Sequence, residues 1–243
     1  MTAGEGDAAA SWEPVTAGRS GARVWRGTDR YRKHGDPAGI AAEAHRLTWL
    51  AGRRVPCPRV VGHRPGELVT TAVPGRPAVA LTTAAARDRA VDSLADLLRT
   101  LHDLPVRDCP FDMSLAVTVP AAEAAVTAGT VDLADLDDVR RGWSADRLRA
   151  ELHRTRPASE DLVVCHNDLT LTNVLVADDG TVTGVVDVAR LGVADRHSDL
   201  ALVTRDLAGE WHPYHAARFL TRYGPSRTDQ AKIDFFQLLD EFF

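Results

Sequence analysis

Lysine is close to absent from this 243-residue chain: of 29 basic residues only Lys33 and Lys232 are lysines. A chain that carries its positive charge almost entirely as arginine singles out the place where it keeps an ammonium. A compact charge on a flexible stem reaches a phosphate in ways a planar guanidinium does not. Cysteine is equally sparse. Cys57, Cys109 and Cys165 form an odd, scattered set with no C-x-x-C pair, which argues against a zinc site or a disulfide framework and for reduced thiols in the cytoplasm. No run of about 18 apolar residues occurs, so no membrane-spanning helix is expected. The opening residues, Met-Thr-Ala-Gly-Glu-Gly-Asp, lack the basic and apolar regions of a signal peptide. Positive charge is not in excess either: a formal net charge of −5 disfavours nucleic acid as partner and suits a cationic small molecule.

What is present reads as two unequal parts. From Trp12 to Lys33 the pattern is short and strand-like, punctuated by Gly18, Gly21 and Gly27. Ile40, Glu43, Ala44, Leu47 and Leu50 recur at helical spacing and predict a helix over 38–52. Strands are expected at Val60 and at Leu68-Val-Thr-Thr-Ala. Val73-Pro-Gly-Arg-Pro then breaks the pattern and marks a boundary. Beyond it, Val91, Leu94, Leu98 and Leu101 lie on one stripe of a helix over 83–104, with further helices expected over 120–128, 144–153 and much of 197–243. The expectation is an α+β fold of two lobes, a small β-rich one over 1–73 and a larger helical one over 74–243.

The chemistry concentrates between positions 165 and 199. An apolar stretch, Asp161-Leu-Val-Val, runs into Cys165-His-Asn-Asp168-Leu-Thr-Leu-Thr-Asn173. Two apolar runs around Asp179-Gly180 then predict a hairpin. Asn173 opens its first strand and Asp187 closes its second, so antiparallel pairing places them side by side at the open end, where the Asp168 loop arrives. An amide and a carboxylate, both oxygen donors, suit a hard cation such as Mg²⁺ that bridges substrate phosphates.

The run His166–Asn173, followed by Val186-Asp187-Val-Ala-Arg190-Leu-Gly-Val-Ala-Asp195-Arg-His-Ser-Asp199, resembles the signature of the aminoglycoside phosphotransferases, antibiotic kinases with a protein-kinase-like bilobal fold. Gly18-Arg-Ser-Gly21, Leu47-Thr-Trp-Leu, Val55-Pro-Cys-Pro, Cys109-Pro-Phe-Asp and the final Phe235–Phe243 are similar to the 3′-phosphotransferase (kanamycin and neomycin kinase) branch. The resemblance covers nearly the whole chain. It implies transfer of the γ-phosphate of ATP, with Mg²⁺, to a hydroxyl of an aminoglycoside. It also implies Asp168 as the catalytic carboxylate, Arg190 near the γ-phosphate or the substrate, and Asn173 and Asp187 on magnesium. Lys33 is expected on the α- and β-phosphates and paired with Glu43, Ser20 in the flap over the phosphates, and Thr71, Ala72 and Val73 in the hinge that reads adenine.

For the acceptor, the acid-rich run Asp132–Asp138 and the closing Asp240-Glu-Phe-Phe243 offer carboxylates to an aminoglycoside's ammonium groups. Asp135, Asp240, Glu241 and Phe243 are the expected contacts, with Arg205 contributing or balancing the acids. Where the family usually has glycine this chain has Asn167 and Ala189. Asn tolerates a left-handed backbone better than most residues, whereas the Ala189 methyl is expected to crowd the loop. Two other readings stay open: a kinase of the same fold acting on a different antibiotic or alcohol, and a nucleotide-binding module without turnover. A monomer or weak dimer, with no nucleic acid or membrane partner, is expected.

Overall fold

The computed structural model describes residues 12–15 and 22–243. The first part is a five-stranded antiparallel sheet with one helix. Its strands are β1 (Glu13–Val15), β2 (Arg23–Arg26), β3 (Arg30–His34), β4 (Val60–Arg64) and β5 (Glu67–Thr71), in the order β1-β2-β3-β5-β4. Lys33 lies on the central strand, paired with Val24 on one side and Leu68 on the other. Helix α1 (Pro37–Leu50) starts at Asp36, whose carboxylate accepts from the Gly39 N–H, with Pro37 at the first helical position. It buries Ile40, Glu43, Ala44, Leu47 and Leu50, the stripe read from the sequence, so Glu43 points inward with the apolar residues.

The chain crosses over at 72–75, and strand β6 (Arg76–Pro77) already pairs with strands of the second part. The long helix α2 (Ala84–His102) is capped by Thr83, whose hydroxyl accepts from the Ala86 N–H. It presents Val91, Leu94, Leu98 and Leu101 to the core. Helix α3 runs Leu115–Ala128, five residues earlier than the expected start, because the proline that suggested a beginning, Pro120, sits inside it. Helix α4 (Ala145–Thr155) follows, capped by Ser144. Strands β7 (Leu162–Cys165), β8 (Val174–Val176), β9 (Val182–Val185) and β10 (Gly192–Asp195) carry the chemical motif. Helices α5 (His197–Asp206), α6 (Pro213–Tyr223) and α7 (Gln230–Asp240) complete the chain. Among the described residues no helix is long and apolar enough to cross a membrane.

The β8–β9 hairpin forms around Asp179-Gly180 as expected. Gly180 takes φ +93°, and a β-carbon there would overlap the Ala86 carbonyl, so both the turn and the approach to α2 demand glycine. The register differs by one residue from the expectation. The turn centres on Asp179, with Val176 opposite Val182; a bulge that leaves Thr183 without a partner then sets Val174 opposite Val185 and brings the Val186 N–H to the Asn173 carbonyl at 2.9 Å. Asp187 is therefore the next residue beyond Asn173's partner.

Helix α7 is fastened by the second lysine. Lys232 Nζ lies 2.7 Å from Asp195 Oδ2, and the Asp195 side chain is fully buried. Asp195 also accepts from His197 and from the Asp161 N–H. Burial alone would raise its pKa; the donors overcome that and hold it well below the usual carboxylate range. Because the folded-state pKa is depressed, this stabilisation is present above about pH 4 and is lost as pH falls through the folded value. Removing the ammonium leaves a buried carboxylate with fewer donors. Lys232→Met is expected to destabilise the fold by about 2 kcal/mol at pH 7 in urea melts, with the difference shrinking at pH 3. A variant as stable as the parent at pH 7 would show that the pair contributes nothing.

Candidate active site

One ammonium joins the two parts of the molecule. Lys33 Nζ on β3 lies 2.9 Å from Glu43 Oε2 on α1 and 3.1 Å from Asp187 Oδ1 beyond β9. Burial pulls the lysine's pKa down, but the two carboxylates more than offset it and leave the pKa raised, so the side chain is charged. Burial raises the Glu43 carboxyl against the pull of Lys33. The triad thus spans the sheet, its helix and the second part's hairpin, with the Asp187 carboxylate the most exposed member.

The loop carrying Asp168 is held from beneath. Asp199 is fully buried in the first turn of α5. Its Oδ2 accepts the His166 N–H at 2.8 Å and its Oδ1 the Asn167 N–H at 2.7 Å. His102 at the end of α2 contacts the same carboxylate at 3.1 Å and the Tyr223 hydroxyl at 2.7 Å. The carboxylate has no proton to give, so the imidazole Nε2–H donates to Asp199. Against the effect of burial, these donors lower the Asp199 pKa. His166 braces the loop as well, with Nε2 3.0 Å from the Val186 carbonyl.

Asp168 sits where this loop meets the hairpin. The Asn173 amide donates to the Asp168 carbonyl at 2.8 Å and to its Oδ2 at 3.1 Å. Burial pushes the Asp168 carboxyl up to about 6, with His166 and Arg190 opposing and Asp187 and Asp240 adding to the rise. The Asn173 side-chain oxygen, Oδ1, has no donor among the described residues, and Lys33 occupies only one oxygen of Asp187. Two hard oxygen donors with free lone pairs at one hairpin end fit a magnesium ion that also binds phosphate oxygens.

On the far side of Asp168 the charges are closely paired. Arg190 NH1 lies 3.3 Å from Asp240 Oδ1, and its guanidinium stands 4.6 Å from the Phe243 ring centre. Arg205 NH2 takes the other Asp240 oxygen at 2.7 Å and also reaches Asp137 at 3.4 Å. Glu241 turns inward instead of facing a ligand: only 4% of its side chain is exposed, and it pairs with Arg140 at 3.1 Å and accepts the Asp137 N–H. From this run it is Asp137 that joins the cluster through its side chain, while Asp135 is exposed. Arg140, Asp137 and His102 carried no distinguishing sequence signal; Asp137 was one of four aspartates within seven residues. Of the hinge residues, the Thr71 and Ala72 N–H groups are already bonded to the Arg59 and Asp29 carbonyls. The Val73 N–H has no acceptor among the described residues and is the one free to meet a base. Ser20 lies outside the described residues.

A family model described as the phosphotransferase enzyme family matches residues 11–236. The chain belongs to this family. It is 47% identical to an aminoglycoside 3′-phosphotransferase of Streptomyces fradiae over 96% of this chain and 95% of that one. The crystal structure of an aminoglycoside-3′-phosphotransferase of type VIII superposes with a TM-score of 0.86 at 49% identity, covering 96% of this chain and 94% of that one. An aminoglycoside phosphotransferase from Streptomyces rimosus, in complex with ADP and streptomycin, superposes at 0.83 with 31% identity over 95% and 92%. The bilobal kinase-like fold and the 3′-phosphotransferase resemblance are thus both established for this chain.

Within this phosphotransferase, the two departures from the family pattern separate. Ala189 is not in the left-handed region, so its methyl meets no backbone penalty there. Asn167 is at φ +62°, a conformation glycine adopts freely, and its side-chain amide donates to the Arg190 carbonyl at 3.0 Å. The asparagine thus ties the Asp168 loop to the Arg190 loop, which glycine cannot do. Asn167→Gly relieves backbone strain but loses that bond, for a net change within about 1 kcal/mol. Asn167→Val adds β-branched strain to the same loss and is expected to destabilise by about 3 kcal/mol. Urea midpoints of the two variants check this; equal losses would show that left-handed geometry is not what selects the residue.

Proposed function

We propose that this enzyme transfers the γ-phosphate of ATP to a hydroxyl, the 3′-hydroxyl, of an aminoglycoside antibiotic and so inactivates it. The observation that carries the reading is the convergence of the Lys33–Glu43–Asp187 triad with the Asp168–Asn173 contact at one cleft edge. Phosphoryl transfer needs little covalent chemistry from the protein and much positioning and charge balance, and these residues are arranged for that. Lys33 reaches toward the α- and β-phosphates, held straight by Glu43. Asn173 and Asp187 would hold a magnesium ion, whose charge offsets that of the phosphates. The Val73 N–H receives the adenine edge.

Asp168 Oδ orients the acceptor hydroxyl and takes its proton as the oxygen attacks the γ-phosphorus. The bond from that phosphorus to the β-phosphate oxygen breaks, and ADP leaves with the electron pair. Arg190 faces the charge on the transferred group. A cytoplasmic location, where ATP is plentiful, accompanies the reading.

The test is an ADP-release assay with Mg-ATP against kanamycin, neomycin, paromomycin and streptomycin. Turnover is expected with the compounds that carry a 3′-hydroxyl. Asp168→Ala is expected to lower kcat by about 10²–10⁴-fold with ADP binding unchanged. Turnover confined to streptomycin would move the accepting hydroxyl to another ring, and turnover in Asp168→Ala equal to the parent would remove the carboxylate from the mechanism.

The carboxylate must be ionised to take a proton, and burial holds Asp168 at about 6 in the ligand-free enzyme. Phosphate-acceptor kcat/KM is therefore expected to fall as pH drops through about 6 and to level off above it. A profile flat between pH 5 and 7.5 would contradict this.

A further inference from the structure

Of the acids expected to attract a cationic acceptor, Asp240 and Glu241 are already occupied. Asp137, Asp240 and Glu241 are matched by Arg140, Arg190 and Arg205, so the cluster is formally neutral. A neutral cluster offers a polycation no net attraction. From these pairings we infer that the acceptor binds by exchange: one of its ammonium groups replaces the Arg190 guanidinium on Asp240 Oδ1, and the released Arg190 then serves the phosphate side of the site. The inference rests on the aminoglycoside reading above and adds a step to it.

Three observations select Arg190 as the group displaced. Its contact with Asp240 is the longer of the two, 3.3 Å against 2.7 Å for Arg205. Arg205 is also anchored by Asp137, whereas Arg190's other partner is the half-exposed Phe243 ring, a contact that permits sliding. The Asp168 loop is also close to Arg190, whose carbonyl accepts from the Asn167 amide on that loop. The Arg190 backbone does not have to move: that carbonyl stays bonded while the long side chain changes partner. Exchange of one cation for another on Asp240 keeps the buried charge balanced throughout, which a simple addition of an ammonium would not. The proposed step ties acceptor binding to the placement of a cation beside the reacting phosphate. An uncharged acceptor would leave Arg190 on Asp240.

The two roles of Arg190 pull kinetic constants in opposite directions. If Arg190 is a competitor for Asp240, Arg190→Gln frees that carboxylate and kanamycin binds about fivefold tighter, the scale of one half-exposed ion pair. The same variant loses the phosphate-side charge, so kcat falls about 100-fold or more. Isothermal calorimetry with kanamycin and no nucleotide reads the first effect without turnover, and ADP affinity equal to the parent's verifies folding. Asp240→Asn is expected to weaken kanamycin binding about tenfold, and in the Asp240→Asn background Arg190→Gln is expected to tighten nothing, closing a double-mutant cycle. Unchanged or weaker kanamycin binding in Arg190→Gln, with the parent binding and phosphorylating kanamycin normally, overturns the exchange alone. A parent enzyme that neither binds nor phosphorylates any aminoglycoside overturns the exchange together with the reading on which it rests.

Discussion

A single buried carboxylate sets the geometry of the site. Asp199 accepts the backbone N–H groups of His166 and Asn167 with its two oxygens and receives a further donor from His102. Those peptide groups lead directly into Asp168, so the position of the proposed catalytic carboxylate follows from a grip on the two residues before it. The grip works because it is buried: inside the protein an unmade bond to a charged group is expensive, so few alternatives compete. It also forces Asn167 into its left-handed conformation, since both consecutive N–H groups must point at one carboxylate. From that conformation the Asn167 side chain reaches the Arg190 carbonyl, which joins the Asp168 loop to the Arg190 loop.

Much of this was legible from sequence because it follows short-range rules. The 3.6 period in 38–52 placed Glu43 on the buried face of α1, and the Asp-Gly turn placed the hairpin that brings Asn173 near Asp187. The one-residue error in register came from the turn, which centres on Asp179 and not on Gly180; a bulge at Thr183 moves Asn173's partner one residue back toward Asp187, and a bulge is set by what the strand packs against. Here that is the crossover loop, where the Thr183 hydroxyl donates to the Pro74 carbonyl. The role of Asp199 was not legible for a related reason. An aspartate in the first turn of a helix usually serves that helix, and only the fold shows that its carboxylate turns away toward a strand end 33 residues earlier.

The acidic cluster shows where composition misleads. A run of aspartates and a closing Asp-Glu read as an open negative surface. In the structure Glu241 is turned inward onto Arg140, and Asp137 and Asp240 share Arg205. Counting charges along a sequence cannot reveal this, because the balancing arginines come from three separate segments, at 140, 190 and 205. The consequence is chemical as well as structural. On the exchange proposed above, recognition of a cation at this site depends on which pairs are weak enough to give way, and so more on geometry than on the number of acids.

The scarcity of lysine acquires a physical meaning from the same comparison. Both lysines sit on carboxylates that bind parts of the fold together: Lys33 on Glu43 and Asp187, Lys232 on Asp195. At each place the ammonium fits among several donors and acceptors converging on a small volume. A guanidinium would need a planar, wider opening and would direct its hydrogens in a fixed fork. The arginines occupy the opposite kind of position, where two carboxylate oxygens lie in reach of a planar group, as in Arg218 with Asp92, Arg222 with Asp96 and Arg196 with Asp161. At position 33 the difference bears on the proposed reaction. An ammonium held by two carboxylates keeps a third N–H for a phosphate oxygen, pointing in the one direction the two ion pairs leave open. An arginine there would settle its fork on one of the carboxylates and leave the phosphate side less well defined. A lysine at that position therefore follows from the geometry of two converging carboxylates, and suits the phosphate contact proposed for it.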